Sequence, residues 1–220
     1  TKSLRIQLAA GKRPAELDLG RWETLRVPLT DLLESRRRYL GQMDLNVASP
    51  LVWIFYADTL HTLAGYGASI VRLDAFAYAH KAVGERNFLN EPGTWSLLAR
   101  LQTIADADGV TLLPEIHASY GEKVYEKLAA KGYAVYDFFL PGLMIDALER
   151  GSADTLAAWA QEILDKHILT VNMLGCHDGI PMLDLKGLLP EERIQNLIDL
   201  IVTRGGMVKN LHGQKKCLLS

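Results

Sequence analysis

The chain has 220 residues, 49% hydrophobic and 23% charged, with 24 lysines and arginines against 26 aspartates and glutamates and a net charge of −2. That is an ordinary globular composition with enough apolar residues for one sizeable core, and the even spread of both charges gives no basic surface for nucleic acid or an anionic membrane. No apolar run reaches the roughly 18–20 residues of a membrane span, and the N-terminal stretch is too short in apolar residues to read as a signal peptide. Cys176 and Cys217 form no CxxC pair, which fits a reducing cytoplasm.

Residues 1–43 follow no repeating pattern. DLLESRRRYL reads as a short helix and RWETLRVPL as an extended segment, so this stretch is left as an unassigned N-terminal segment. Residues 44–220 are regular. Ser49-Pro50 marks a helix start, a hydroxyl cap followed by proline in the first turn, and Gly65 and Gly67 end that helix. A strand over about 69–74 follows. The next helix, about 94–107, sets Leu97, Leu101, Ile104 and Ala105 on one face. GVTLLPEIH reads as a strand over 110–115, then come a helix over about 120–131 and a strand over 134–139. Helices near 141–150 and 153–166 precede a strand over 168–174. A final helix near 190–204 is expected to turn Ile194, Leu197, Ile198, Ile201 and Val202 inward.

Strands alternating with helices predict a parallel sheet of βαβ units. The strands are continuously apolar, as strands covered on both faces are. There is no GxGxxG after the first strand, which speaks against a dinucleotide fold. The fold class read here is α/β, a partial (β/α)8 TIM barrel with about four of its eight strands.

The strand ends carry the chemistry. Asp74 and Glu115 close the first two strands and Asp178 lies just past the fourth, where α/β folds collect their active groups. Two facing carboxyls suit cleavage of a glycosidic bond, one as nucleophile and one as acid. The apolar neighbours of Glu115 predict a raised pKa, and Arg72 beside Asp74 predicts an ionised nucleophile. Acidic residues at strand ends also serve as helix caps and loop residues, so spacing alone leaves the structural role open. His117, Cys176, His177 and Asp178 include metal-ligand types, but without HxH or HExxH spacing, and no metal is expected. Cys176 reads as a small buried residue.

Four short runs carry a resemblance. VRLDAFAY, LLPEIH and GCHDGI resemble the second, third and fourth conserved regions of glycoside hydrolase family 13, the α-amylase superfamily, and QMDLN resembles its additional QxDLN motif. DLNVASP, VYDFFLP, CHDGIPMLDLKGLL and RGGMVKNLHG look most like its sucrose phosphorylase subfamily. The resemblance implies Asp74 as catalytic nucleophile, Glu115 as general acid/base and Asp178 as the third, transition-state carboxylate. Arg72 would fix Asp74, and His177 would bind the glucosyl unit. Phe76 and Tyr78 are candidate sugar contacts, with core or loop packing as the alternative for each. It implies retaining glucosyl transfer from sucrose or a related α-glucoside, with inorganic phosphate as co-substrate and no cofactor. An α-glucoside hydrolase or transglycosylase, an inactive fragment and a metal-dependent barrel hydrolase are the other readings. The family's first conserved region, its first three and eighth strands and its C-terminal β-domain are not found, so the chain reads as a fragment covering about strands 4–7. Unpaired apolar edges would then favour self-association, and the chain alone would be inactive.

Overall fold

The computed structural model describes residues 45–81, 84–85, 87–211 and 214–218. The unassigned N-terminal segment, the first three residues of QMDLN and the two expected elements before it lie outside the described residues.

The helices form close to where their signals fall. Helix α1 (Pro50–Gly65) starts on its proline and stops at Tyr66, with Gly67 at φ 91° beyond it. The Ser49 hydroxyl makes no capping bond, contrary to expectation. The entry is fixed instead by the Ser49 and Ala48 N–H groups, which donate to the Asn46 carbonyl and side chain, and by the Trp53 indole N–H, which donates to the Val47 carbonyl. Strand β1 (Ile70–Leu73) leads through a short 3₁₀ turn (Phe76–Tyr78) to helix α2 (Gly93–Ala107), whose Leu97, Leu98, Leu101 and Ala105 are buried. Strand β2 (Thr111–Pro114) follows. The helix expected over 120–131 is broken in two, a 3₁₀ turn (Tyr120–Glu122) and helix α3 (Val124–Ala129). Lys123 between them sits in the left-handed region at φ 53°, which no continuous helix can include.

Strand β3 (Val135–Asp137), helices α4 (Leu140–Arg150) and α5 (Asp154–Asp165) and strand β4 (Thr170–Asn172) come next. A 3₁₀ turn (Met182–Leu185) and helix α6 (Glu191–Thr203) complete the α/β part. Strands β5 (Met207–Leu211) and β6 (Gln214–Leu218) form an antiparallel hairpin that the sequence reading did not foresee. The core joins Leu98, Leu112, Leu128, Leu143, Met182 and Leu185, all fully buried. Among the described residues no helix is long and apolar enough to cross a membrane.

The fold is mixed α/β with parallel strands, but the four expected strands form two separate ladders. β1 pairs with β2 from Ile70↔Thr111 to Leu73↔Pro114, and β3 pairs with β4 from Val135↔Thr170 to Asp137↔Asn172. The break between β2 and β3 has a local cause. Thr111 and Glu115 direct their N–H groups to the Ser69 and Leu73 carbonyls, so the alternate positions of β2 face the other way, and one of these is Pro114, which has no N–H. Side chains span the gap, with the His117 ring stacked on Phe138 at 3.8 Å between centroids.

The expectation of strands covered on both faces holds only inside. β2 is buried over Leu112, Leu113 and Pro114, whereas β1 alternates between exposed and half-buried residues and Ile70 is 61% exposed. β4 is likewise half-buried and then exposed. Each outer strand pairs on one side alone among the described residues.

Candidate active site

The parallel register of β1 and β2 puts Leu73 opposite Pro114, so the residues that follow, Asp74 and Glu115, leave the ladder side by side. Strand alternation sends Arg72 to the same side as Asp74. One guanidinium then holds both carboxylates: Arg72 Nη1 lies 2.6 Å from Asp74 Oδ1 and Nη2 lies 2.7 Å from Glu115 Oε1. Such a planar fork fixes direction as well as charge. The chain turns sharply after Asp74, with Ala75 in the left-handed region at φ 47°. In that conformation its N–H donates to Glu115 Oε2 at 2.8 Å, and the Phe76 N–H donates to the Glu115 carbonyl at 3.0 Å.

The two carboxylates differ in setting. The Asp74 side chain is 57% exposed, whereas that of Glu115 is 8% exposed. Burial pushes the Glu115 pKa up, but the His117 ring, the Ala75 N–H and the Arg72 charge outweigh it and bring the group down to about 2. This corrects the expectation of a raised value. Pro114 and Ile116, the immediate neighbours of Glu115 in sequence, fall on the opposite side of the strand by alternation, and the groups at its carboxylate in space are cationic or donating.

His117 lies between two acids. Its Nε2 is 3.3 Å from Glu115 Oε1, and its Nδ1 is 3.0 Å from Asp184 Oδ2. Asp184, on the 3₁₀ turn after β4, is buried. In the sequence His117 is only a residue of metal-ligand type and Asp184 carries no signal, because nothing in one dimension links positions 67 residues apart. On the other side of the guanidinium, Arg72 stands 6.0 Å from the Tyr136 ring. Burial foremost raises the Tyr136 pKa, the Arg72 charge opposes this, and Glu115 and Cys176 add to it.

The fourth strand's residues form a second group. Cys176 and Gly179 close a tight turn, and the Asp178 N–H donates to Cys176 Sγ at 3.4 Å. His177 Nε2 lies 3.1 Å from Asp178 Oδ2, and both side chains are well exposed, at 74% and 58%. Cys176 is exposed, not buried as expected. The donor atoms of Cys176, His177 and Asp178 come within 4.8 Å of one another, a set that mixes sulfur, nitrogen and oxygen of the kind borderline metals take. Neither Asp178 nor His177 is hydrogen-bonded to Asp74 or Glu115 among the described contacts. Of the aromatic candidates, Tyr78 is exposed and edge-on to Phe88 at 5.2 Å, whereas Phe76 is packed in the core.

No family model matches the chain. It is 56% identical over 189 residues to a sucrose 6(F)-phosphate phosphorylase of Ilumatobacter coccineus, over 83% of this chain and 36% of that protein. The chain is a homologue of the sucrose phosphorylases. A sucrose phosphorylase of Streptococcus mutans is 39% identical over 70% of the chain and 31% of its own length. The crystal structure of sucrose 6F-phosphate phosphorylase from Thermoanaerobacter thermosaccharolyticum superposes with a TM-score of 0.72 at 32% identity, over 80% of this chain and 35% of that one. The chain thus spans about a third of the length of these phosphorylases.

Proposed function

We propose that the protein carrying this chain is a retaining phosphorylase that transfers glucose from sucrose 6F-phosphate, or from sucrose itself, to inorganic phosphate. In this reading the described strands are part of a (β/α)8 barrel, about its fourth to seventh strands, and the site sits at its mouth in a cytoplasmic enzyme. The observation that supports it most is the single Arg72 fork on Asp74 and Glu115, which sets two carboxyls of unequal exposure at adjacent strand ends. Retaining transfer needs such a close pair. The phosphorylated donor is preferred because the 56% identical relative and the structural neighbour both bear that name.

Asp74, exposed and held by Arg72, attacks the anomeric carbon. The bond to the leaving sugar breaks as Glu115 gives that oxygen a proton, and a β-glucosyl ester of Asp74 forms. Phosphate oxygen then attacks the same carbon, the ester bond breaks, and the proton of the phosphate passes to Glu115. The product is α-glucose 1-phosphate. Two inversions restore the configuration. Asp178 and His177 are assigned to the glucosyl unit, and this takes a closer approach to Asp74 than the described contacts show. Turnover takes more of the relatives' fold than these 220 residues hold, so the chain alone is inactive.

Product analysis tests the reading. With sucrose 6F-phosphate and phosphate the protein releases α-glucose 1-phosphate, and the rate follows phosphate concentration. Free glucose at a rate indifferent to phosphate would instead identify a hydrolase. A higher kcat/KM for sucrose than for its 6F-phosphate would reassign the donor and leave the mechanism intact.

A further inference from the structure

The reaction needs Glu115 protonated before the leaving group can depart, yet the surroundings of Glu115 favour its anion. Arg72, the Ala75 N–H and the His117 ring all stabilise the carboxylate. The proton therefore has to be held nearby and moved. His117 is placed for this, because each of its ring nitrogens faces a different carboxylate. An imidazolium donates from both nitrogens, which suits a ring set between two acids.

We propose that Asp184, His117 and Glu115 form a relay in which His117 holds the acid/base proton of Glu115 and Asp184 positions and charges the ring. Before departure of the leaving group, the proton passes from His117 Nε2 to Glu115 Oε1. His117 becomes neutral and keeps its Nδ1–H on Asp184. Glu115 then donates the proton to the glycosidic oxygen. In the second half, the proton taken from phosphate returns through Glu115 to His117. Phe138 clamps the ring by stacking, and Asp184 is locked in a turn whose Leu185 abuts Gly142 of α4, where a Cβ would lie 2.4 Å from Leu185 Cδ1. Among the described residues, Arg72 and Asp74 from the end of β1 and Tyr136 from β3 also stand close to Glu115. Among the described contacts Asp184 is the acid on the His117 Nδ1 side.

The relay rests on the phosphorylase reading, and two measurements separate the two. The first needs no turnover. The chain has six histidines, and His117→Asn assigns the His117 ring in NMR titrations. The relay predicts that Asp184→Asn lowers the midpoint of His117 by about one pH unit or more, and that Glu115→Gln lowers it too. Midpoints within about 0.3 of a pH unit of wild type in both variants would overturn the proposal, and Glu115→Gln alone decides it if Asp184→Asn does not fold. The second uses the active protein. Asp184→Asn moves the alkaline limb of kcat/KM down by about one pH unit, because the shared proton is lost more easily without the Asp184 charge. Asp184→Glu restores the limb. A limb that stays in place while only thermal stability falls would make Asp184 structural and refute the relay. Absence of any glucose 1-phosphate from the wild-type protein would refute the phosphorylase reading, and the titration would still decide the relay.

Discussion

Glu115 and Asp137 occupy equivalent places, each buried at the carboxyl end of a parallel strand, and the two have opposite electrostatics. Glu115 is surrounded by a guanidinium, an imidazole and a backbone N–H, and its pKa falls to about 2. Asp137 meets only neutral donors: the Trp159 indole at 3.0 Å and the Phe139 and Leu140 N–H groups at 3.2 and 2.9 Å. Burial dominates there and raises its pKa, with those three bonds offsetting only part. Asp137 caps the start of α4 and ties α5 to β3, so it is a fastener. A carboxylate at a strand end is thus a candidate for chemistry when cations face it, and a structural cap when only neutral donors do.

The comparison breaks most sharply in activity. Asp74→Asn should cut glucosyl transfer about 10⁴-fold or more, whereas Asp137→Asn should change kcat by less than about threefold at a temperature where both variants are folded. Stability reverses the order. Asp137→Ala leaves three buried donors without their acceptor and should cost about 3–4 kcal/mol in urea denaturation. Asp74→Asn, at an exposed side chain, should cost under about 1 kcal/mol.

Acid sharpens the contrast through its sign. The folded pKa of Glu115 lies below its ordinary value of 4.5. Its contribution is therefore complete above pH 4.5 and is lost as pH falls through about 2. The loss should amount to about 2–3 kcal/mol at most, and Glu115→Gln should remove that part of the acid transition. Glu162 has the same sign, since bonds from Lys166, Tyr125 and Tyr120 outweigh burial and bring it to about 2. Asp137 has the opposite sign. Its contribution is complete below its ordinary pKa of 3.8 and is lost as pH rises through the raised folded value. A conformational change acts on the same pair: Ala75→Val puts a β-branched residue in the left-handed region and should cost about 1–2 kcal/mol, while releasing the N–H bond on Glu115.

Much of the fold was legible because helix ends carry local signals: Pro50, Gly67 and Pro190 each mark a boundary that the structure keeps or shifts by one or two residues. Lys123 was not legible, because a lysine in the left-handed region has no sequence signature, and neither was the break between β2 and β3 that Pro114 accompanies. Of the site, Arg72, Asp74 and Glu115 were readable from strand position and motif, and their convergence follows from parallel register. The pairing of His117 with Asp184 is not legible because it is made by the turn of residues 182–185 meeting the segment after β2, which one sequence does not encode locally. The error on Glu115 has the same origin: its sequence neighbours are apolar, and its spatial neighbours are not.

The most direct test is to trap the covalent intermediate. Glu115→Gln in the phosphorylase-competent protein, mixed with α-glucosyl fluoride, whose leaving group needs no proton from Glu115, and then digested, should yield the peptide containing Asp74 heavier by one glucosyl residue, and none in the Asp74→Asn protein. A glucosyl adduct on another carboxylate, or its absence from Asp74 while the wild-type protein forms α-glucose 1-phosphate, would contradict the assignment of Asp74 and Glu115.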